Sequence, residues 1–360
     1  MQAKRGDASV TTVLVMKVNR SPSLAPHSAP WDTGRMNDTP DIHGTRGRLV
    51  RDDAPYVAPE HDAPVGSDEA VRALHDHEAA EALAHLGEIA TGLTPASLRP
   101  VSFNRADSRW LAGETLGSPV VKTRTASTPQ ELREALNSVG LPARLIPAEG
   151  PYSYYEVAKA EEAEAQWDGR PTLVESVLEG AELITLQVVR SVDPTTGEDA
   201  SWFAEPIGHD VSQAVQPMPM SDSARDSARS IAVRIVQSMN ESAQSFGRGL
   251  YSVTMLVAGD RCYFEDVVYG PRRIGLITLY TQRYSQYELH ARAKLGLPVD
   301  VTLMTPGAAM ITERPVRVKE ALGVDEVDVR ACEIGNLIVA TAATVEDAAV
   351  RIAEVERQAM

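Results

Sequence analysis

Cysteine is nearly absent from this sequence, with two residues, Cys262 and Cys332, among 360. Their separation offers neither the paired spacing of a disulfide framework nor that of a zinc site. No apolar run is long enough to span a bilayer, and the N-terminus lacks the apolar core of a signal peptide. We therefore expect a protein of the reducing cytoplasm that has no membrane partner.

Basic residues are also in short supply: 35 Lys and Arg face 50 Asp and Glu, giving a formal net charge of −15. Non-specific nucleic-acid binding depends on excess positive charge, so this class of partner is not expected. The 43% hydrophobic and 24% charged residues are ordinary for a globular protein. A chain of this length predicts two or three packed units.

A glycine-rich turn is missing where a nucleotide-binding fold would need one. Residues 11–18, TTVLVMKV, predict a first strand. The segment that follows, residues 19–47, is instead dense in Pro, Ser and Asp as well as Gly, and it has too little apolar surface to order itself. We expect a flexible segment there, within a reduced N-terminal domain over residues 1–100.

Order is predicted to return with a helix-rich stretch over residues 67–90, which contains His75, His77 and His85. A metal site is one interpretation of these histidines. However, residues 75 and 77 point to different helix faces, and no pair has the i, i+4 spacing of two ligands on one face. We therefore favour a solvated helix face.

From residue 101 onward, predicted strands alternate with helices, which indicates an α/β fold. One helix has clear start and stop signals: Thr128 is the expected N-cap, Glu131 its capping-box partner and Gly140 the terminator. No internal repeat is present. The expected fold is therefore mixed, with no repeat architecture.

Residues 252–279 predict two strands joined at Gly259-Asp260 and followed by a basic loop. This is the outline of a metal-binding hairpin. A two-residue turn would place Glu265 opposite Thr254, whereas a three-residue turn would place Asp266 there. The sequence leaves both registers open.

Six stretches together resemble the ATP-grasp enzymes, and among them the formate-dependent phosphoribosylglycinamide formyltransferases. The stretches are residues 104–119, 174–189, 203–221, 249–267, 275–299 and 340–348. The resemblance implies an α+β ATP-grasp fold, with the ATP-grasp region at 101–300 and a small C-terminal α/β domain at 301–360. It also implies a homodimer that joins formate to glycinamide ribonucleotide through a formyl phosphate, made from ATP with Mg²⁺.

Some functional positions of the family are matched in this chain. Arg105 matches an arginine that reaches the ATP phosphates, and Glu175 matches an acid on the strand whose neighbouring backbone meets the adenine. A surface salt bridge and an exposed strand acid are their ordinary alternatives. Upstream, Asp62, with Glu60 beside it, matches the acid that meets the substrate amine.

Other positions depart from the family. Its two metal-binding acids correspond to Thr254 and Asp266, with Glu265 adjacent, so one acid is expected instead of two. Arg273 stands where a substrate-binding aspartate belongs. Together with Arg272 it either binds an anion of the substrate or is solvated.

The positions that correspond to the family's triphosphate-binding residues differ most from the family. The family's strand lysine corresponds to Ile146, and its mobile Ser/Gly loop, with a second lysine, corresponds to residues 150–156, GPYSYYE. The bulky side chains of this loop, from Tyr152 to Tyr155, are poorly suited to fold over phosphates. Such tyrosines more often pack on a neighbour or form an interface.

Three functions are compatible with these features. The first, which we favour, is a non-catalytic homologue that acts as a binding or regulatory protein, because the positions that pack are retained while those that touch phosphate, metal or substrate are replaced. The second is an active ligase or formyltransferase that uses Glu175, Glu265 and Asp266. The third is an oligomerisation partner for a true transformylase. A nucleotide is the expected small-molecule ligand, and retention of ATP and Mg²⁺ is the open question.

Overall fold

The computed structural model describes residues 49–51, 68–150, 153–210, 213–241, 246–332 and 335–360. The predicted first strand at 11–18, the segment 19–47, the candidate residues Glu60 and Asp62, and Tyr152 lie outside the described residues. The predictions made for them stay predictions.

The described residues form helices that differ widely in length. They are α1 Asp68–Leu86, α2 Arg105–Trp110, α3 Pro129–Val139, α4 Ala160–Gln166, α5 Asp222–Glu241, α6 Thr278–Thr281, α7 Gln286–Lys294, α8 Val318–Ala321 and α9 Val345–Ala359. The N-cap predicted for α3 at Thr128 is confirmed, whereas the Glu131 carboxylate accepts from the Ser127 amide and not from that of Thr128. The Thr128 hydroxyl accepts a hydrogen bond from the Glu131 amide, and the helix ends at Gly140, whose φ of 94° suits a residue without a Cβ.

The strands belong to two sheets. They are β1 Leu49–Arg51, β2 Val101–Phe103, β3 Thr123–Ala126, β4 Ala143–Pro147, β5 Tyr155–Val157, β6 Thr172–Ser176, β7 Glu182–Val192, β8 Asp199–Phe203, β9 Ile207–His209, β10 Gln213–Gln216, β11 Gly249–Ala258, β12 Arg261–Tyr269, β13 Gly307–Thr312, β14 Val327–Cys332 and β15 Gly335–Thr341. Their pairing is antiparallel throughout both sheets. The architecture is therefore mixed α/β with antiparallel sheets, in line with the fold class predicted from the sequence.

The large sheet has eleven strands in the order β1-β2-β12-β11-β7-β9-β10-β13-β15-β14, with β8 paired to β7. Its core lies where the apolar face of α5, including Ile231, Ile235 and Val236, packs against buried residues of β7, β11 and β12. β11 is buried at nine of its ten positions, as expected for a strand in the middle of a sheet that is covered on both faces.

The small sheet has four strands in the order β3-β6-β4-β5. Leu132, Leu136 and Val139 of α3 recur with helical spacing and pack on one face of this sheet. The inner strands β4 and β6 present their polar residues Arg144 and Glu175 in a buried setting. That position brings both side chains to the junction with the large sheet.

The residues after 300 continue the large sheet. β13 pairs with β10 and with β15, and α9 packs over the resulting core with Ile352 and Val355. These contacts follow from the amphipathic pattern of α9. The division of the chain at residues 100 and 300 stays a prediction.

The histidines of α1 form only part of the solvated face expected from the sequence: His77 and His85 are exposed, whereas His75 is not. His75 is buried, and its Nδ1 lies 2.8 Å from the Tyr287 hydroxyl of α7. His77 and His85 lie on more exposed parts of the helix, against Arg330 and Glu288. The expectation was wrong for His75 because the sequence does not reveal that α7 packs on α1. Among the helices of the described residues, none is long and apolar enough to span a membrane.

Candidate functional site

The predicted hairpin is formed by β11 and β12 around the two-residue turn Gly259-Asp260. A turn of this length would place Glu265 opposite Thr254. A β-bulge adds one residue to β12 at this point, so that Asp266 pairs with Thr254 instead. The two registers left open by the sequence are thus resolved by an irregularity that turn length alone does not predict.

Asp266 lies between two arginines. Nη2 of Arg272 donates to its Oδ2 over 3.2 Å, and Nε of Arg105 lies 3.6 Å from the same oxygen. Nη1 of Arg272 donates to the Thr254 hydroxyl over 2.9 Å. The Arg272 guanidinium therefore bridges the two facing residues of the hairpin. All four side chains are buried, and a charged hydrogen bond is stronger in such a setting than at the surface.

Arg105 is fixed at the start of α2, where the Asn104 side chain caps the helix by accepting from two backbone amides. Its Nη1 donates to the Pro147 carbonyl over 2.9 Å and its Nη2 to the Gly150 carbonyl over 2.7 Å. Both carbonyls belong to the end of β4 and the loop after it. Arg105 thus joins the small sheet to the hairpin carboxylate of the large sheet.

Glu175 and Glu265 share a third arginine. Arg109, one helical turn after Arg105 on α2, makes an ion pair with Glu175 and donates from Nη2 to Glu265 Oε2 over 2.8 Å. Its Nε donates to the backbone carbonyl of Glu265 over 2.6 Å. A fourth arginine, Arg144 of β4, approaches the other Glu265 oxygen to 3.7 Å.

We call these seven side chains the arginine cluster. It contains Arg105, Arg109, Arg144, Arg272, Glu175, Glu265 and Asp266, all of them buried. Four guanidinium groups and three carboxylates give a formal charge of +4 − 3 = +1. Removing so many charges from water is costly unless each is paired, and the pairing seen here offsets much of that cost.

Gln286 fixes the backbone of Arg272, and Gln187 in turn fixes Gln286. Gln286, at the start of α7, accepts from the Arg272 amide over 2.9 Å and donates to the Arg272 carbonyl over 2.7 Å. Gln187 of β7 donates to the same Gln286 oxygen over 3.1 Å. Gly275 lies against Gln286 and Gln187. A Cβ atom added to Gly275 would lie 2.6 Å from Nε2 of Gln187. A glycine is therefore required there for close approach of the backbone.

A line of hydrogen bonds leads from the cluster to His209. The Thr254 hydroxyl lies 3.0 Å from that of Thr185, which in turn lies 2.9 Å from Nε2 of His209. Desolvation within the protein, followed by the nearby Arg272 charge, lowers the pKa of His209 to about 3. The imidazole is consequently neutral at physiological pH.

His209 lines a cleft of about 380 Å³ between the two sheets. Val177 and Leu178, which follow Glu175 along the chain, form part of its wall, as do Arg144 and Tyr154. The Arg144 guanidinium lies 4.3 Å from the centre of the Tyr154 ring, within the range of a cation–π contact. A cleft of this size is sufficient for a small molecule.

Five of the candidate residues are brought together by the structure: Arg105, Glu175, Glu265, Asp266 and Arg272. Arg272 is buried and paired with Asp266, so it is not the solvated residue that was one expectation. Arg273 lies half-buried at the start of a 3₁₀ segment, Arg273–Ile277. Arg109 and Arg144 were missed. The i, i+4 spacing of Arg105 and Arg109 is a signal that would have placed Arg109 on the same helix face. No local pattern indicates the direction of Arg144.

Comparison with known proteins identifies the family. The formate-dependent phosphoribosylglycinamide formyltransferase of Rhodococcus jostii is 33% identical over 311 residues, which cover 79% of this chain and 72% of the relative. The chain belongs to this family. The formate-dependent phosphoribosylglycinamide formyltransferase of Corynebacterium efficiens is 38% identical over 266 residues, which cover 67% of this chain and 65% of the relative. The chain thus spans just under two thirds of the length of that relative. No protein-family model matches it.

Solved structures agree with the formyltransferase family. The chain superposes on glycinamide-RNase-transformylase T from Mycobacterium tuberculosis with a TM-score of 0.60 and 33% identity, over 72% of each chain. It also superposes on the ADP complex of an N5-carboxyaminoimidazole ribonucleotide synthetase with a TM-score of 0.59 and 17% identity, over 71% of each chain. The second likeness concerns the fold alone. The ATP-grasp fold predicted from the sequence is confirmed.

Membership of the formyltransferase family raises the question of whether Mg²⁺ fits at the hairpin. Mg²⁺ takes oxygen ligands in near-octahedral geometry, with carboxylates from the protein. Thr254 offers a neutral hydroxyl, and the Asp266 carboxylate is contacted by Arg105 and Arg272. Glu265 is paired with arginines as well. Within the described residues, no group of three or more potential ligands converges. This donor set does not fit Mg²⁺.

The position at which the sequence resemblance predicts a strand lysine is occupied by an apolar residue in this chain. Ile146 of β4 is fully buried and packs with Ala148 and Leu173. Arg144, two residues earlier, lies on the same face of the strand because side chains alternate. The strand therefore does place a cation at the cleft, but one that is engaged with Glu265 and Tyr154.

Proposed function

We propose that this protein is a non-catalytic member of the formyltransferase family, a pseudoenzyme that keeps the ATP-grasp fold as a binding or regulatory protein. The observation that carries the proposal is the position of the Arg272 guanidinium, which bridges Thr254 and Asp266. In the family this pair corresponds to the two metal-binding acids. The Arg272 guanidinium thus supplies, from the chain itself, the positive charge that a metal ion would supply between these two positions.

The effect of this substitution on phosphoryl transfer is large. Such transfer depends on positive groups that neutralise the phosphates in the transition state, and the metal is a principal one. The Arg272 guanidinium donates from Nη1 to Thr254 and from Nη2 to Asp266, so these donors are already used within the protein. Losing one group that stabilises developing charge costs about 3 kcal/mol of barrier, or about a hundredfold in rate, and several are replaced here.

Buried apolar packing supports the same proposal. Ile146 stands at the lysine position and belongs to an interior cluster, so this strand offers no ammonium group to a phosphate. Tyr154 stacks on Arg144, and Tyr155 belongs to β5. The described part of the loop thus packs on the protein.

The test is a turnover assay. The protein is incubated with ATP, Mg²⁺, formate and glycinamide ribonucleotide, and ADP and formylated product are measured over time. The Corynebacterium efficiens relative serves as the positive control. We expect no product above the level of a protein-free sample. Formation of ADP that depends on formate would overturn the proposal.

The second candidate function is an active ligase that couples a carboxylate to an amine through an acyl phosphate. Three buried carboxylates, Glu175, Glu265 and Asp266, belong to the arginine cluster, and their presence favours this function. The same assay with a panel of carboxylic acids and amines decides between the two. Turnover that is lost in the Asp266→Asn variant would establish the ligase.

Several expectations from the sequence belong to the same proposal. They are the domain boundaries at residues 100 and 300, a homodimer, and a cytoplasmic location. Sedimentation of the full chain at several concentrations tests the oligomeric state, and limited proteolysis with mass spectrometry tests the boundaries. A single species with the mass of one chain, 38.9 kDa, would rule out the homodimer.

A further inference from the structure

Strand β14 forms one edge of the large sheet. Among the described residues its single strand neighbour is β15, with which it pairs in antiparallel fashion. Directly before β14, the Thr341 amide donates to the Glu326 carbonyl over 3.0 Å. Hydrogen bonding alternates from residue to residue along an antiparallel pair, so the even-numbered residues of β14 direct their backbone groups towards β15. The backbone groups of Val327, Val329 and Ala331 therefore point away from the sheet, where they form a template for a further strand.

This open edge carries two charges of opposite sign. Asp328 is exposed, and in the part of the chain that the structure describes it has no ion-pair partner. Arg330 is paired with Glu78 of α1 through Nη2 over 2.9 Å, and the same nitrogen lies 3.1 Å from Nε2 of His77. Side chains two residues apart on a strand share a face, so Asp328 and Arg330 both lie on the α1 side of the sheet. Val329, between them, lies on the opposite side, against the core under α9.

The order of these charges selects one way of pairing β14 with a second copy of itself. In an antiparallel pair about a two-fold axis, an axis at Asp328 or at Arg330 sets that residue opposite its own counterpart. An axis at Val327 sets Asp328 opposite Glu326. An axis at Val329 instead sets Asp328 of each copy opposite Arg330 of the other. Like charges directly opposite each other destabilise a sheet and opposite charges stabilise it, so the axis at Val329 is favoured.

The same axis places the charges in the closer kind of cross-strand pair. Because its backbone groups point outward, Val329 would face its counterpart as a hydrogen-bonded pair, with the Cα atoms about 5.5 Å apart. Asp328 and Arg330 would then form non-hydrogen-bonded pairs, with Cα atoms about 4.5 Å apart and the side chains closer together. The contacts of Arg330 with α1 use Nη1 and Nη2. Nε can therefore donate to the carboxylate of the second copy.

An exposed apolar pair lies beside this edge. Helix α8 contacts both β14 and α9, and it buries Ala321 in the core that they share. Val318 and Leu322 are four residues apart, so they lie on one side of this helical turn, and they are 44% and 52% exposed. An axis at Val329 brings the α8 segments of the two copies to the same face of one continuous sheet. Burying these side chains would enlarge the contact, because two short strands alone bury less surface than a stable interface needs.

We propose that two copies of this chain associate through β14, with a two-fold axis at Val329, reciprocal ion pairs between Asp328 and Arg330, and the two α8 segments side by side. The partner is a second copy because the charges of the edge are complementary to themselves only about this axis. The interface is isologous, as expected for a closed dimer. This inference rests on the homodimer of the proposed function, and it deepens that proposal by assigning the surface and the register.

Sedimentation equilibrium of the full chain is the first test. We expect a species of 2 × 38.9 = 77.8 kDa that dissociates on dilution. Asp328→Arg sets arginine opposite Arg330 at two places, so the dissociation constant is expected to rise by about tenfold or more. Asp226→Arg is the matched control, because it makes the same change at an exposed position of α5, which covers β7, β11 and β12. It is expected to leave the dissociation constant unchanged, and circular dichroism verifies that each variant is folded.

A disulfide reports the register directly. In Val329→Cys the two new cysteines would have Cα atoms about 5.5 Å apart, which is within the range for a disulfide. The variant is made together with Cys332→Ser, and Cys262 is buried. Mild oxidation is expected to give a covalent dimer on a non-reducing gel. Asp226→Cys in the same background is the control, and we expect it to stay uncoupled.

The outcomes separate this inference from the proposed function. A covalent dimer of Val329→Cys, with weakened association of folded Asp328→Arg, supports the inference. A single species of 38.9 kDa at about 100 micromolar protein overturns the inference and the homodimer together. A dimer that is unaffected by Asp328→Arg and is not coupled through Val329→Cys overturns the inference alone. The non-catalytic function is decided separately, by the turnover assay.

Discussion

Arg272 and Asp266 form an ion pair with a nitrogen–oxygen distance of 3.2 Å, and each side chain is only 2% exposed. The pair lies on β12 and the loop that follows it, where the chain turns back towards α7. Because Arg272 also donates to Thr254, the two facing positions of the hairpin are linked by a group of fixed geometry. Guanidinium suits this task because its planar fork presents several donors at set angles.

Removing this guanidinium is expected to destabilise the protein strongly. Arg272→Met keeps much of the side-chain volume but leaves Asp266 with less compensating charge. Breaking a buried pair in this way costs about 3–5 kcal/mol in the free energy of unfolding. Urea unfolding followed by circular dichroism measures the loss. The control is Arg283→Met, which removes a partly exposed pair with Asp300 and is expected to cost about 1 kcal/mol at most. Equal losses in the two variants would contradict the structural role assigned to Arg272.

A lysine at position 146, where the sequence resemblance predicts one, is expected to harm the fold without creating a site for phosphate. Ile146→Lys places an ammonium group in an interior apolar cluster, close to the arginine cluster. An uncompensated buried charge costs about 3–5 kcal/mol. The control, Ile89→Lys, changes a residue that is 63% exposed and is expected to stay within about 0.5 kcal/mol of the parent. Thermal unfolding measures both variants, and a stable Ile146→Lys protein that binds ATP would refute this account.

Two buried histidines are expected to make the protein sensitive to mild acid. Burial lowers the pKa of His75 to about 4, and burial followed by the nearby Lys294 charge lowers that of His290 to about 3, from 6.5. Because the folded pKa values lie below the unfolded value, the unfolded chain takes up protons first as the pH falls. The stability is therefore fully present above pH 6.5 and is lost as the pH falls from there towards 4 or 3. At pH 5 each histidine accounts for a loss of about 2 kcal/mol.

Urea unfolding between pH 7 and pH 5 tests the acid sensitivity. The His290→Gln variant is the control, since it removes one titrating group. Its stability is expected to fall less steeply with pH than that of the parent, by at most about 1.4 kcal/mol per pH unit. An unchanged slope would show that His290 does not titrate in this range on unfolding.

Gly275 is expected to tolerate no side chain. In Gly275→Ala, the added methyl group collides with Gln286 and displaces it from the backbone of Arg272. Overpacking of this kind costs about 1–3 kcal/mol. A double-mutant cycle with Gln286→Ala isolates the cause, because residues in contact do not act additively. Equal effects of Gly275→Ala in both backgrounds would point to the contact with Gln187 instead of the collision with Gln286.

Much of the fold could be predicted from the sequence, because its information is local. Capping residues marked α3, and Gly259-Asp260 marked the hairpin turn. The β-bulge at Glu265 could not be predicted, since it depends on how β12 pairs with its neighbours on both sides. Its consequence is direct: Asp266 and not Glu265 faces Thr254.

The site was only partly predictable for a related reason. Individual residues such as Arg105, Glu175 and Asp266 were identified through the resemblance, but their ion-pair partners come from elements far apart in the chain. Arg109 approaches Glu265 across 156 positions of sequence. No local pattern encodes such a contact. The buried state of Arg272 was equally hidden, because two adjacent arginines in a loop are usually solvated.

The bridge between Thr254 and Asp266 also limits what a single substitution can achieve at this position. Thr254→Glu would place a second carboxylate within reach of Arg272, and the two would form an ion pair. The bridging arginine would remain beside both carboxylates, so Thr254→Glu is expected to show no Mg²⁺-dependent thermal shift. Loss of Arg272 alone is the destabilising step described above. A metal site at this position would therefore require changes at both Thr254 and Arg272, and neither change alone provides one.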